Sequence, residues 1–309
     1  MKISKILTLF LFCICSCATY NNRNPYPNMR VLHFNNYSAY EFNDSYSEKL
    51  IIVFDGSGYY SSLGRYDRGI WRPVSMASQL VPLLREEYTI LVPDKFDRSI
   101  GNDYFEDMDD RANYTAENLL NCYITIINSY LDENIFNSVI LVANSESAKL
   151  LPIMFENIIK NELITGMVSI AGGGLSMYEE MIILSTSNVT PKRWKNGYLE
   201  LINIFEENNF EFPDSIILGF NGMSLRWYNS MINIRPYDYY ENINIPILFL
   251  HGNKDYLVPV ESTIYIQNNL VKKTFEYVYY ENMGHAPRNS SQTIRLRNDI
   301  TNWINNINK

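Results

Sequence analysis

The sequence predicts an α/β fold built on a mostly parallel, doubly wound sheet. From about residue 31 onward, short apolar runs alternate with segments whose apolar residues recur at helical spacing. The apolar runs carry too few polar residues for strands with one face in water, so we expect both faces of the sheet to be covered. The 309 residues, 46% of them apolar, are enough for one large domain with such a core.

The first 17 residues are typical of an export signal. Lys2 and Lys5 give a basic start, and the apolar stretch Ile6–Cys15 has about half of the roughly 20 residues that a spanning helix needs. The stretch ends in ICSC, which resembles the lipobox of bacterial lipoproteins and implies a lipid on Cys17. We expect an exported protein held at a membrane through that lipid rather than through a transmembrane helix. The alternative is a cleaved signal and a periplasmic or secreted protein.

The predicted elements follow a polar, proline-broken tether at residues 18–30. MRVLHF and SAYEFN read as a pair of β-strands. Further strands are predicted for KLIIVF, TILVPD, SVILVA, ITGMVSIA, IPILFLHG and FEYVYYE. Helices are predicted for PVSMASQLVPLLREEY, TAENLLNCYITIINSYLDEN, SAKLLPIMFENIIK, PVESTIYIQNNLV and SQTIRLRNDITNWINNI. In the second of these helices, Thr115 stands at the predicted N-cap.

The alternation stops between residues 175 and 241, which read as irregular helices rich in Trp, Tyr, Phe and Met. We predict that they form a cap insertion over the carboxyl ends of the strands, where open α/β sheets bind ligands. The core then consists of residues 31–174 and 242–309, and the glycines of AGGG let the chain turn into the cap. The cap aromatics are expected to line an acyl or aryl pocket, unless the 24 tyrosines of the chain reflect general composition only. The candidates are Trp194, Trp227, Tyr228, Tyr237 and Tyr240.

Composition limits the partners. The formal net charge of −8 and the sequence pI of about 5.0 argue against a nucleic-acid partner, which needs clustered Lys and Arg. Three histidines without an H-E-x-x-H motif or paired cysteines predict no metal site. Cys122 is the one cysteine outside the predicted signal and is interpreted as a small buried apolar residue. The sequence leaves the oligomeric state open.

Two serines, Ser145 and Ser147, lie between the strand SVILVA and a predicted helix. A nucleophile on a tight strand–turn–helix corner needs small residues two positions away on each side, because larger side chains would collide in the bend. Ser145 has Ala143 and Ser147 at these positions, whereas Ser147 has Lys149 on one side. Ser145 is therefore the candidate nucleophile. The alternative is that both serines are ordinary polar residues at the start of a helix.

Candidate partners for Ser145 follow two later strands. LFLHGNKDYLVP places Asp255 just past an apolar strand, and YYENMGHAP places His285 past the next one. The order serine, acid, histidine, with each residue in a loop after a strand, is one of the three common orders of catalytic triads. His251, at the end of the first of these strands, is interpreted as structural.

The turn VFDGSG follows an earlier strand. A glycine-rich turn at this place can direct a backbone N–H at a developing oxyanion, together with the N–H of the residue after the nucleophile. These donors are predicted to be the amides of Ser57 and Glu146, with Gly56 and Gly58 permitting the turn. The alternative is a turn that merely ends the strand.

From about residue 48 to its end, the chain resembles the α/β-hydrolase superfamily with a cap insertion, on the segments IIVFDGSG, VANSESA, ILFLHGNKDYLVP and NMGHAP. It departs from that pattern at Asp55, where many members have histidine, and at the two elbow glycines, which are Ala143 and Ser147 here. The resemblance implies the α/β-hydrolase fold and hydrolysis through an acyl-enzyme on Ser145, with no cofactor. It also implies that His285 is the general base and that Asp255 orients its imidazole.

The interpretation is a serine hydrolase, esterase- or lipase-like, that acts on a small-molecule carboxylic ester or acyl substrate. An aminopeptidase or amidase on the same triad is the first alternative, and it needs an acidic group in the cap to bind an α-ammonium. Four candidates for that group are Glu179, Glu180, Glu206 and Glu207. The second alternative is a non-catalytic surface lipoprotein that uses the fold for binding.

Overall fold

The structure is a computed structural model that describes residues 26, 28–45, 47–58, 61–67, 70–72, 75–95, 113–208 and 222–307. The predicted export signal with Cys17 lies outside these residues and stays a prediction. Among the helices described, none combines the length and apolar character needed to cross a membrane.

Within the described residues, eight strands form one sheet, and six of them, β3 together with β6 to β10, run parallel to one another. The strands of the sheet are β1 (Met29–Phe34), β2 (Tyr37–Phe42), β3 (Lys49–Phe54), β6 (Thr89–Pro93), β7 (Ser138–Asn144), β8 (Ile164–Ile170), β9 (Ile247–Gly252) and β10 (Phe275–Tyr280). Their order is β1-β2-β6-β3-β7-β8-β9-β10, and only the β1–β2 and β2–β6 pairs are antiparallel. Two further strands, β4 (Arg65–Asp67) and β5 (Ile70–Arg72), form a separate hairpin. The predicted mostly parallel sheet is therefore confirmed.

Helices cover both faces of the sheet, as the uniformly apolar strands predicted. The helices outside the predicted cap are α1 (Met76–Leu84), α2 (Ala116–Glu133), α3 (Glu146–Asn157), α8 (Val260–Asn269) and α9 (Ser290–Ile307). Along β3, Leu50, Ile52 and Phe54 pack into the core that includes α2 and α3, whereas Ile51 and Val53 pack into the core that includes α1 and α9. Complete burial of one such side chain contributes about 1.5–3 kcal/mol to the stability of the fold. Because its side chains alternate between the two faces, β3 contributes to both cores.

In the described part of the chain between β8 and β9, four helices lie within the segment 175–241 that the sequence predicts as an insertion. They are α4 (Met177–Thr186), α5 (Lys192–Glu207), α6 (Leu225–Met231) and α7 (Tyr237–Tyr240). The chain enters them through Gly173, whose φ of +67° favours glycine and where a Cβ would lie 2.2 Å from Ser262 Oγ. The glycines of AGGG thus allow a turn that packs tightly on α8.

The direction of the strands places the start of β1 and the loops that carry candidate site residues at opposite edges of the sheet. Strand β1 runs in the same direction as β3, because two antiparallel steps, β1–β2 and β2–β6, lie between it and the parallel strands. Met29 therefore starts at the edge opposite the carboxyl ends of β3, β7 and β9. Those carboxyl ends lead into the segments that contain Gly56, Ser145 and Asp255.

Candidate active site

Ser145 occupies a sharp corner between β7 and α3. Its φ of 55° and ψ of −117° are rare for a residue with a side chain, and its backbone N–H donates to Ile170 O at 2.8 Å. The residues two positions away, Ala143 and Ser147, are fully buried. Small side chains at these places fit the bend, as the sequence predicts for a nucleophile corner.

The structure brings Ser145, His285 and Asp255 into one hydrogen-bonded chain. His285 Nε2 lies 2.8 Å from Ser145 Oγ, and His285 Nδ1 lies 2.8 Å from Asp255 Oδ2. These residues are 110 and 30 positions apart along the chain, yet both contacts are within hydrogen-bonding distance. A proton can therefore pass from the hydroxyl to the imidazole while the carboxylate lies behind the ring.

Asp255 is held as a buried carboxylate. Its Oδ1 accepts hydrogen bonds from the amides of Leu257 at 2.8 Å and Val258 at 3.1 Å. Burial by itself would raise the pKa of this carboxyl, but the charge and hydrogen bond of His285, together with His251, lower it well below its usual value. Asp255 is consequently ionised and oriented.

His285 has a raised pKa. Burial lowers the pKa of the imidazole, and the charge of Asp255 and its hydrogen bond more than offset this effect. Glu180 raises the pKa further through its charge. The surroundings thus stabilise the imidazolium that forms when the ring accepts a proton.

His251 is structural, as the sequence indicates. Its Nδ1 lies 2.7 Å from Thr263 Oγ1 and its Nε2 lies 3.0 Å from Val258 O, in a fully buried position. Its Nε2 is also 3.5 Å from Asp255 Oδ2, so the ring supports the loop that carries the acid.

Ser147 has a different role from Ser145. Its hydroxyl is fully buried and donates to Asp55 O at 2.5 Å. That bond joins the start of α3 to the turn after β3. Of the two serines, only Ser145 contacts His285.

The turn after β3 lies directly against the corner of Ser145. A Cβ on Gly56 would be 2.9 Å from Ser145 Cβ and 3.2 Å from Asn144 Nδ2, so the close approach requires glycine. Gly58 has a φ of +128°, which also favours glycine. Ser57 and Glu146, the predicted sources of oxyanion amides, line the same cavity as Ser145 and His285.

A cavity of about 310 Å³ opens beside Ser145 and is walled mainly by apolar side chains. Three of the predicted cap aromatics, Trp194, Trp227 and Tyr228, line it. The other apolar side chains in its wall are Met177, Met181, Leu184, Tyr198, Met231, Leu257, Val258 and Ala286.

The prediction was wrong for Tyr237 and Tyr240. Tyr240 is fully buried, with its ring centroid 5.1 Å from that of Phe249, and Tyr237 packs edge-on against Tyr265 at 5.0 Å. Helix α7 leads into β9, so these rings join the core instead of the cavity wall.

A buried ion pair, missed in the sequence, forms part of the cavity wall. Lys149 Nζ lies 2.9 Å from Glu180 Oε2, and each side chain is only 3% exposed. Lys149 also donates to Leu175 O at 2.8 Å, and Glu180 Oε1 accepts from Ser262 Oγ at 2.7 Å. Through these contacts, helix α4 of the predicted cap is joined to α3 by Lys149 and to α8 by Ser262. A lysine in the apolar segment AKLLPIM was the only sequence signal for it.

Replacement of Glu180 by glutamine is expected to lower the free energy of unfolding by about 3–5 kcal/mol, because the Lys149 charge would remain buried without its counter-charge. Burial raises the pKa of Glu180 and Lys149 opposes that rise, so the carboxylate charge depends on this partner. Urea denaturation measures the loss. The double variant Lys149→Met/Glu180→Gln is the control and should recover most of it; no recovery would contradict the ion pair.

Metal ligands and the cysteine Cys122 are other groups in the chain whose placement bears on its chemistry. Within the residues described, no group of three or more His, Cys, Asp or Glu side chains is placed to hold a metal ion. Cys122 is buried and unbridged in α2, where it packs as a small apolar side chain.

Comparisons with known proteins agree with this fold. A family model described as the prolyl oligopeptidase family, Peptidase_S9, matches residues 218–309, which include Asp255 and His285. No curated protein sequence matches the chain significantly.

Three solved structures are similar over nine-tenths of the chain. Est1E from Butyrivibrio proteoclasticus has a TM-score of 0.58 at 12% identity, over 91% of this chain and 99% of that one. Serine hydrolase CCSP0084 from Cycloclasticus zankles has a TM-score of 0.55 at 14% identity, over 90% and 97%. The acylaminoacyl peptidase of Pyrococcus horikoshii has a TM-score of 0.55 at 14% identity, over 90% of this chain but only 41% of the peptidase. This likeness shows the fold.

Proposed function

From an α/β-hydrolase fold that holds Ser145, His285 and Asp255 in hydrogen-bonding contact, we propose that the protein is a serine hydrolase of carboxylic esters. The observation that carries the proposal is the pair of 2.8 Å contacts on either side of the His285 ring. The family match and the hydrolase structures support a hydrolase of this type.

In the first step, Ser145 Oγ attacks the carbonyl carbon of the ester while His285 Nε2 accepts the hydroxyl proton. The buried carboxylate of Asp255 keeps the proton on Nδ1 and stabilises the imidazolium. His285 then donates a proton to the leaving alcohol, and the acyl group stays on Ser145. Water, activated by His285, releases the acid and restores the serine.

Negative charge develops on the carbonyl oxygen in the transition state, and hydrogen-bond donors that are already in place stabilise it. The amides of Ser57 and Glu146 are proposed for this role, because both residues line the cavity and Gly56 allows the turn to approach Ser145. Loss of one such donor typically costs about 2.7–4 kcal/mol of transition-state stabilisation.

The cavity favours an uncharged acyl group. Its charged pair, Lys149 and Glu180, is mutually neutralised. Burial raises the pKa of Asp55 and of Glu146, which favours their neutral forms. The remaining wall is apolar and aromatic, which suits an apolar or aryl acyl group. Ferulic acid, an aromatic acid, is bound to Est1E in one similar structure.

Amide cleavage is the second candidate, favoured by the peptidase family match and the likeness to acylaminoacyl peptidase. Of the four glutamates considered for an α-ammonium, only Glu180 lines the cavity, and Lys149 already neutralises it. Glu179 caps α4, and Glu206 accepts from Tyr178 at the surface. An aminopeptidase would lack an anionic group for its substrate among these residues.

Matched substrates separate these functions. We expect turnover of the p-nitrophenyl ester of a neutral aryl acid and little turnover of aminoacyl p-nitroanilides with a free α-ammonium. The p-nitroanilide of the same aryl acid controls for the acyl group. A kcat/KM for the aminoacyl anilide equal to that for the ester would favour the aminopeptidase.

Covalent labelling tests the enzyme class itself. A fluorophosphonate should label the folded protein at Ser145, because the serine is activated by His285. A folded protein that neither becomes labelled nor hydrolyses any of the substrates would favour the non-catalytic binding function.

A further inference from the structure

Glu146 directly follows Ser145 and has a side chain that the reaction does not use. Its proposed catalytic contribution is the backbone N–H, which almost any residue supplies at this place. Yet the glutamate is only 5% exposed, and a buried carboxyl group is costly without partners. The side chain therefore needs an explanation of its own.

Both carboxyl oxygens of Glu146 are hydrogen-bonded to aromatic side chains. Tyr114 OH donates to Oε2 at 2.5 Å, and Trp227 Nε1–H donates to Oε1. Burial raises the pKa of Glu146, and the bonds from Tyr114 and Trp227, together with the charge of Lys95, oppose that rise. The carboxyl group is thus a buried acceptor for two rings from distant parts of the chain.

Trp227 brings this interaction to the substrate cavity. It lies in the cap helix α6, lines the cavity, and packs edge-on against Tyr228, another wall residue, with centroids 4.8 Å apart. The same helix is tied to the core by Ser230 Oγ, which accepts from Ala116 N at 2.9 Å. Glu146 and Ala116 therefore fix α6 at two points, and of these two hydrogen bonds the one to Glu146 is made by the indole.

We propose that Glu146 is a positioning residue that sets acyl specificity: it fixes the Trp227 indole as one wall of the acyl cavity and joins that wall to the Ser145 corner. This inference rests on the proposed esterase function. The substrates concerned are esters whose acyl group is bulky enough to contact the indole, such as aryl acids. An acetyl group reaches no such wall and should be indifferent to it.

The test compares p-nitrophenyl acetate with p-nitrophenyl benzoate in Glu146→Leu, Trp227→Phe and the double variant. Each single variant should lower kcat/KM for the benzoate about tenfold, equivalent to about 1.4 kcal/mol and within the range for one intramolecular hydrogen bond. The diagnostic is the ratio of kcat/KM for the benzoate to kcat/KM for the acetate, which should fall in each single variant, because the acetyl group does not reach the indole. The double variant should be no worse than the singles, because both remove the same bond.

Conservative and matched variants make the result specific. Glu146→Gln should retain the benzoate preference, since its carbonyl oxygen can accept from Trp227 and its amide can donate to Tyr114 Oη. Tyr198→Phe is the matched control: Tyr198 lines the same cavity, but its hydroxyl donates to Tyr256 O at 2.8 Å. Its effect should add to that of Glu146→Leu instead of overlapping with it.

The outcomes distinguish this inference from the proposed function. Equal losses on both esters, or additive effects of Glu146→Leu and Trp227→Phe, would overturn the positioning role while wild-type turnover leaves the esterase function standing. If wild-type protein hydrolysed neither ester, the proposed function itself would fail. Should Glu146→Leu not fold, the comparison of Trp227→Phe with Glu146→Gln still tests the contact, because only the former removes the hydrogen bond between the two residues.

Discussion

Replacement of Ser145 by alanine is expected to lower kcat by roughly a million-fold, the loss found when the serine of a comparable triad is removed. The variant retains the corner, because alanine tolerates the φ of 55° no worse than serine does. The removed hydroxyl contacts His285, so the free energy of unfolding should change by about 1 kcal/mol. Ester turnover and urea denaturation measure the two effects.

Ser147→Ala is the matched control two residues away. It leaves the Asp55 carbonyl without its buried donor, so we expect a loss of stability of about 1–3 kcal/mol. Fluorophosphonate labelling should persist in this variant and vanish in Ser145→Ala. The opposite pattern would assign the nucleophile to Ser147.

Replacement of Asp255 by asparagine is expected to lower kcat by about ten-thousand-fold, because an amide facing His285 Nδ1 favours the wrong tautomer of the imidazole. The asparagine can retain an oxygen toward the amides of Leu257 and Val258, which hold Oδ1 in the wild type. The loop should therefore keep its conformation. Stopped-time ester assays and near-UV circular dichroism check activity and fold.

The same variant should move the pH profile. His285 must be neutral to accept the serine proton, so activity falls as the pH drops through its pKa, which the Asp255 carboxylate raises. Without that carboxylate, burial lowers the pKa, and the acidic limb of kcat/KM should shift to lower pH. Full activity or an unmoved acidic limb would contradict the assignment of Asp255.

The loops that carry Ser145, Asp255 and His285 were predictable because they follow from local patterns. Uniformly apolar strands indicate a parallel sheet, and the carboxyl ends of parallel strands meet at one edge. Asp255 and Ser145 each follow such a strand, so their loops could be assigned to that edge without any knowledge of distances. The small residues beside Ser145 further distinguished it from Ser147.

Contacts between the cap and the core were not predictable in the same way. Glu146 and Trp227 are 81 positions apart, and Lys149 and Glu180 are joined across two helices. Periodicity reports which face of a helix is buried, but it does not report which helix packs on that face. Tyr237 and Tyr240 were misassigned for this reason, since their aromatic character fits a core as well as a cavity wall.

The alternation of strands and helices, the parallel sheet, and the three loops that carry serine, acid and histidine could all be inferred from the amino-acid sequence. Each of these depends on residues close together in the chain. How helices α4 and α6 meet the Ser145 corner depends on long-range packing, because the partners of buried charges and rings are set by how the helices pack. The Trp227 bond to Glu146 and the Lys149–Glu180 pair belong to that second level, and with them the shape of the cavity.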